Sequence, residues 1–148
     1  MKNKEKVITF LCCAKKETYA GYGQEQTASR PNSHDLQYEE GGLKYIDTYL
    51  GSEKFSGEEA IWEKDEPIWA MNYTGRLVGE GFLGGFLKEV LARVDKDYPY
   101  RGPLFYEKED YEYHCSVNGE FEWFQGYEEI FYKGNKIYEC YFHGGLVK

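Results

Sequence analysis

The sequence is poor in cysteine, histidine and long apolar runs. Its 148 residues include 4 cysteines and 3 histidines, with no Cys-x-x-Cys pair and no histidines at zinc-finger spacing. Metal ligation by such residues requires characteristic spacings, so no metal site is expected. No apolar run approaches the length of a membrane span. We therefore predict a cytoplasmic protein with free thiols, without a metal, a cofactor or a membrane segment.

Positive charge is also scarce. The chain has 18 Lys and Arg against 26 Asp and Glu, which gives a net charge of -8. Nucleic-acid affinity rests on Lys and Arg side chains that neutralise phosphates, so direct binding of DNA or RNA is disfavoured. No low-complexity tract or Ser-rich linker divides the chain, and its length suits one domain over residues 1–148.

Aromatic residues, by contrast, are abundant. They make up 18% of the sequence and include 15 tyrosines. Tyrosine combines an apolar ring with a polar tip, which suits surfaces that are neither dry nor fully wet. This composition favours a binding surface or pocket.

Two segments have the apolar spacing of amphipathic helices. Val7, Phe10, Leu11 and Ala14 predict a helix over residues 4–16, with lysines outside the apolar stripe. A similar repeat predicts a second helix over residues 82–94. The stretch from residue 18 to residue 33 lacks periodicity and predicts a long loop.

The first four strands are predicted from two turns. A Gly41-Gly42 turn predicts a hairpin that places His34 opposite Tyr49, Leu36 opposite Asp47 and Tyr38 opposite Tyr45. His34 and Asp47 would then be diagonal neighbours. A turn over residues 64–67 predicts a second hairpin that places Trp62 opposite Trp69, Ala60 opposite Met71 and Glu58 opposite Tyr73.

Residues 111–143 predict a three-stranded meander, because Asn118-Gly119 and Gly134-Asn135 are hairpin turn signatures. If both turns form, one face combines aromatic rings with carboxylates and a histidine. That face would carry Tyr111, Tyr113, Glu122, Phe124, Glu128, Ile130, Tyr132, Glu139, Tyr141 and His143. Such a mixture suits a partly wet pocket better than a dry core.

The element order is helix, two hairpins, helix and three strands, without βαβ alternation. It predicts an α+β fold in which a bent antiparallel sheet of about 7 strands, built of successive hairpins, carries two amphipathic helices.

We predict an acidic, aromatic-lined pocket as the functional site. The candidate ligand-binding residues are His34, Tyr45, Asp47, Glu58, Trp69, Tyr73, Tyr113, Glu122, Glu128, Glu139, Tyr141 and His143. The loop of residues 18–33 is expected to form a lid with Tyr19, Tyr22 and Arg30, in which Arg30 pairs with a pocket carboxylate. The alternatives are solvated glutamates, core tryptophans and a free surface loop.

Several stretches together resemble a known family: residues 29–36, 45–49, 55–60, 69–73, 121–129 and 138–145. The chain resembles an uncharacterised bacterial domain family, a domain of unknown function, over nearly its whole length. Members of that family occur alone or C-terminal to an Xre/Cro-like helix-turn-helix. The resemblance implies a cytoplasmic sensor or regulatory partner, and it implies no activity and no catalytic residues.

The sequence is consistent with three functions. The first is a small-molecule-binding or sensor domain whose ligand is cationic or a polar heteroaromatic. The second is a hydrolase or lyase that uses Glu and His acid-base chemistry, with His34–Asp47 or His143–Glu128 as the reacting pair. The third is a protein-interaction or dimerisation module of a transcriptional regulator, with a homodimer as one form.

Overall fold

The computed structural model describes residues 1–148, which form an α+β fold of two helices and one eight-stranded antiparallel sheet. The helices are α1 (Lys4–Glu17) and α2 (Gly84–Leu91). The strands are β1 (His34–Glu40), β2 (Leu43–Gly51), β3 (Lys54–Glu63), β4 (Glu66–Leu77), β5 (Phe105–Lys108), β6 (Tyr111–Glu120), β7 (Trp123–Tyr132) and β8 (Asn135–Leu146). The strand order is β1-β2-β3-β4-β8-β7-β6-β5. The predicted α+β class, with an antiparallel sheet and two helices, is therefore confirmed.

One face of the sheet holds the core, because strand side chains alternate and the apolar ones share that face. Its largest fully buried side chains include Tyr45, Ile61, Trp69, Tyr113, Phe124, Ile130, Tyr138 and Phe142. The helices bury their apolar stripes in the same core cluster, through Val7 and Leu11 of α1 and Leu87 and Val90 of α2. Neither helix is long and apolar enough to span a bilayer.

The first helix matches its predicted range, whereas α2 is shorter than the predicted residues 82–94. After Leu91 the backbone tightens, and the amides of Arg93 and Val94 donate to carbonyls three residues earlier. A 3₁₀-type turn of this kind is a common helix ending.

The first hairpin has the predicted register. Gly41 and Gly42 have φ angles of 61° and 83°, as a two-residue turn with left-handed backbone at both positions requires. His34 lies opposite Tyr49, and Tyr38 lies opposite Tyr45.

The second hairpin differs from its predicted register by one residue. The chain turns at Lys64 and Asp65, and the pairing shifts between Ile61 and Trp62. A one-residue slip moves side chains to the opposite face of a sheet. Glu59 consequently points into the core and Glu58 is exposed, so the predicted facing of Glu58 was wrong.

The predicted Asn118-Gly119 turn was also wrong. The chain turns instead after Glu120, which pairs with Trp123, and Phe121 within the turn is 2% exposed. Phe121 stacks on Trp69 with 5.1 Å between the ring centroids. Burial of this ring outweighs the local turn preference.

The β7–β8 hairpin turns at Lys133-Gly134, and its pairing shifts between Ile130 and Phe131. Glu128 therefore pairs with Cys140, and Tyr141 lies on the opposite face. The inward side chains of β8 are Tyr138, Cys140 and Phe142, and the outward ones are Glu139, Tyr141 and His143. The predicted face that combined Glu128 with Glu139, Tyr141 and His143 therefore does not form.

The strand count is eight, and the prediction of about 7 strands missed β5. This strand has 4 residues and pairs with β6 at the edge of the sheet. A strand of four residues, of which three are exposed, is too short to show alternation of apolar and polar side chains. The sequence therefore contains no period-two pattern that predicts this strand.

Candidate functional site

A cavity of about 320 Å³ lies against the inner face of β2–β4. Its other walls are the C-terminal end of α1, the helix α2 and the segment around Tyr100. Ligand pockets typically measure roughly 300–1,000 Å³, so the cavity suits a small organic molecule. Its polar side chains include Lys15, His34, Tyr45, Asp47, Glu59, Tyr73 and Arg101. Its apolar and aromatic side chains include Tyr19, Tyr49, Phe55, Leu77, Phe82, Leu87, Leu91 and Tyr100.

Two buried carboxylates form the floor of the cavity. Asp47 on β2 pairs directly with Glu59 on β3, and these residues are only 5% and 3% exposed. Like charges directly opposite each other on neighbouring strands repel. The site must therefore supply a cation, a proton or both.

Lys15 supplies the cation for Glu59. Its ammonium group lies 2.6 Å from the Glu59 carboxylate and donates to the carbonyl oxygen of Tyr100 at 2.6 Å. Tyr45 donates its hydroxyl hydrogen to the same carboxylate. Glu59 is therefore balanced by a buried positive charge.

Asp47 has no cation within ion-pair distance, and its one side-chain hydrogen bond comes from the Tyr73 hydroxyl at 2.6 Å. Burial and the charge of Glu59 raise the pKa of Asp47 to about 7, although the Tyr73 bond and the charges of Lys15 and Arg101 act in the opposite direction. Near neutral pH, Asp47 exists as a mixture of acid and carboxylate.

Arg101 is fixed in the cavity wall by Glu128. The Arg101 Nε and Nη2 atoms donate to the two Glu128 carboxylate oxygens at 2.9 Å and 2.8 Å. Tyr113 and Tyr138 also donate to Glu128. Burial raises the pKa of Glu128, but the Arg101 charge and these hydrogen bonds hold it below its ordinary value. The pair is thus ionised, and its geometry is rigid.

Four of the predicted ligand-binding residues line the cavity: His34, Tyr45, Asp47 and Tyr73. Glu128 lies behind Arg101 and accepts its hydrogen bonds, and Tyr113 donates to Glu128. Trp69 is a core residue whose ring nitrogen donates to the Phe121 carbonyl at 3.1 Å.

The remaining predicted residues lie away from the cavity. Glu58, Tyr141 and His143 are exposed. Glu122 forms an ion pair with Lys4 at 2.9 Å. Glu139 pairs with Arg76 at 2.8 Å on the outer face. None of these glutamates therefore lies beside the buried Glu128.

His34 lies at the cavity mouth without touching Asp47. Its ring contacts the Glu25 carboxylate and stacks on Tyr49, with 4.7 Å between the ring centroids. The predicted orienting contact between His34 and Asp47 is absent from the structure.

The segment of residues 18–33 divides into two parts. Thr18, Tyr19 and Ala20 line the cavity. Farther along, Asp35 accepts hydrogen bonds from the Ser29, Ser33 and Thr48 side chains and from the Ser29 amide, which fixes residues 29–33 to β1.

The other two predicted lid residues do not line the cavity. Tyr22 is 69% exposed, and the Lys88 ammonium lies 4.1 Å from its ring centroid. Arg30 is exposed and forms no ion pair, so its predicted pairing with a pocket carboxylate was wrong.

Sequence reasoning missed Lys15, Glu59 and Arg101 as cavity residues. Lys15 follows Leu11 by four positions and therefore lies on the buried side of α1, a signal that was available in the helical spacing. Glu59 was missed because strand alternation does not reveal a register shift. Arg101 was missed because it lies in the irregular connection between α2 and β5, which has no periodic apolar spacing, although residues 99–102 are buried.

A family described as a Domain of unknown function (DUF5680) matches residues 47–147. This range is more than half of the chain, so the chain belongs to that family. No curated protein and no solved structure matches it. The association with an Xre/Cro-like helix-turn-helix stays a prediction.

Proposed function

We propose that this member of the DUF5680 family binds a small organic cation, or a polar heteroaromatic that accepts a proton, with Asp47 as the counter-ion. The observation that carries the proposal is that Asp47 is buried in a cavity wall without a cationic partner. A bound cation would supply the charge that is missing and would stabilise ionised Asp47.

The balance of charges supports a cation over an anion. Glu59 is paired with Lys15, and Glu128 is paired with Arg101. With both pairs neutral, an ionised Asp47 leaves one uncompensated negative charge at the cavity. A cationic ligand removes this imbalance, whereas an anionic ligand increases it, and both effects are strengthened by the low local dielectric.

The aromatic lining provides surfaces for the rest of such a ligand. Tyr49, Phe55, Phe82 and Tyr100 present rings to the cavity. Aromatic faces attract cations and stack on flat heterocycles. The lining already uses this interaction, because the Arg101 guanidinium carbon lies 5.1 Å from the Tyr73 ring centroid.

A thermal-shift comparison of three probes with the same ring tests the proposal. Phenethylamine, 2-phenylethanol and phenylacetate are cationic, neutral and anionic, respectively. At equal concentration, the amine should raise the Tm most, because it should bind the folded protein most tightly. A ligand that binds only the folded state stabilises that state, and tighter binding stabilises it more. Asp47→Asn should remove this preference, and Glu58→Gln, a change at the exposed neighbour of Glu59, should retain it. Stabilisation by phenylacetate alone would contradict the proposal.

A second candidate, acid-base catalysis, is favoured by the pKa of Asp47 near 7 beside a second carboxylate. A general acid or base works best when its pKa lies near the operating pH. The predicted pairs do not form, since His34 contacts Glu25 and His143 lies on the outer face. A hydrolase or lyase would therefore act through Asp47, and a screen of esters and amides should show a turnover that Asp47→Asn abolishes.

A further inference from the structure

Part of the Arg101 guanidinium group has no protein partner. Its Nε and Nη2 atoms donate to Glu128, and Nη2 also reaches the Tyr138 hydroxyl at 3.3 Å. Its Nη1 atom has no protein acceptor. Every side-chain nitrogen or oxygen that is sealed from solvent has a hydrogen-bond partner, so Nη1 must reach open space. Arg101 is 7% exposed and lines the cavity, which is where that space lies.

The orientation of this free group is fixed. The two bonds to Glu128 hold the planar guanidinium in one position, and the Tyr73 ring lies against its face. Tyr73 also donates to Asp47, so the same tyrosine contacts both the Arg101 guanidinium and the Asp47 carboxylate. A donor held in this way contributes to affinity without a large loss of conformational entropy.

The charge of Arg101 is already neutralised by Glu128, at a distance of 2.8 Å. Its free donors therefore offer hydrogen bonds without a net positive charge. An anionic group on the ligand would gain little from Arg101 and would be repelled by Asp47. A neutral carbonyl or amide oxygen accepts the same hydrogen bonds without this cost.

We propose that the ligand is an organic cation that also carries a neutral carbonyl or amide acceptor, with its cationic group on Asp47 and its acceptor on Nη1 of Arg101. This inference rests on the proposed function and specifies the second group that the ligand needs.

Calorimetric titration with three probes tests the inference. Phenethylamine has the cation alone, phenylalaninamide adds a neutral acceptor, and phenylalanine adds a carboxylate. We expect phenylalaninamide to bind about ten-fold more tightly than phenethylamine, as one hydrogen bond with a charged group provides. Phenylalanine should bind more weakly than phenylalaninamide. Equal affinities for phenethylamine and phenylalaninamide would overturn the inference. Tightest binding of phenylalanine would also overturn it.

Arg101→Lys keeps a charge for Glu128 and removes the Nη1 donors. The expected result is that phenethylamine still binds and the ten-fold advantage of phenylalaninamide disappears. The readout is a ratio of two affinities in one variant, which a change in overall stability does not alter. If this variant does not fold, the ratio of the phenylalaninamide and phenethylamine affinities of the wild type tests the inference.

The two proposals fail in different ways. If phenethylamine binds and phenylalaninamide gains nothing, the role of Arg101 is wrong and the cation site stands. If neither amine binds the wild-type protein, both proposals are wrong.

Discussion

Asp47 and Glu59 face each other across β2 and β3, and only Glu59 has a cation, Lys15, within 2.6 Å. This asymmetry gives two adjacent carboxylates different states. Glu59 is held in an ion pair, whereas burial and the neighbouring charge favour the protonated form of Asp47.

The first prediction concerns the contribution of Asp47 to stability. This contribution should make the free energy of unfolding fall as the pH rises from about 4 to about 7. Its pKa rises from the ordinary value of 3.8 to about 7 on folding, so in this window the folded state holds a proton that the unfolded state has lost. Stability falls with pH wherever the folded state binds more protons, here by at most about 1.4 kcal/mol per pH unit.

Urea denaturation of the wild type and of Asp47→Asn over this pH range measures the effect. The difference in unfolding free energy between the two proteins should change across the window, because the variant has no titrating group at this position. A difference that is constant from pH 4 to pH 7 would show that Asp47 titrates normally.

The second prediction contrasts neighbouring glutamates on β3. Glu59→Gln leaves buried Lys15 without its carboxylate and should lower the unfolding free energy by roughly 3–5 kcal/mol. Glu58→Gln changes an exposed side chain and should have an effect within about 0.5 kcal/mol. Chemical denaturation at pH 7 provides both values, and the reverse order would refute the register of β3 against β4.

The third prediction makes the same contrast on the second half of the sheet. Glu128→Gln removes the charge that binds Arg101 and should destabilise the fold by roughly 3–5 kcal/mol. Glu139→Gln affects ion pairs with exposed partners, Arg76 and Lys136, and should cost less than about 1 kcal/mol. Similar losses for the two variants would contradict the register shift between β7 and β8.

The fourth prediction concerns the segment before β1. Hydrogen bonds from Ser29, Ser33 and Thr48 lower the pKa of Asp35 to about 2, although burial alone would raise it. Asp35→Ala should therefore speed hydrogen exchange at the Ser29 amide, which donates to the Asp35 carboxylate. Arg30→Ala, a matched change at an exposed residue of the same segment, should leave exchange unchanged. Exchange that is equally fast in wild type and Asp35→Ala would show that Asp35 does not hold the segment.

The sequence predicts elements well where the signal is local. The apolar spacing of Val7 and Leu11 predicts α1, and the Gly41-Gly42 turn predicts the register of β1 against β2. Both follow from the backbone preferences of a few consecutive residues.

The site is less predictable, because its residues depend on packing between distant segments. Phe121 moves a turn by packing on Trp69. Single-residue shifts turn Glu59 instead of Glu58 inwards in β3–β4, and they separate Glu139 from Glu128 in β7–β8. Arg101 enters the cavity because Glu128, 27 positions away, binds it. No local pattern in the sequence specifies these contacts.

Calorimetric titration of phenethylamine into the wild type and Asp47→Asn at pH 8 tests whether Asp47 is the counter-ion of the ligand. At this pH the Asp47 carboxylate is mostly ionised and the amine is mostly protonated. We expect the wild type and Glu58→Gln to bind the amine. We expect Asp47→Asn to weaken binding at least ten-fold, as loss of one charge-assisted hydrogen bond requires. Binding of equal affinity in the wild type and Asp47→Asn would contradict the claim that Asp47 is the counter-ion of the ligand.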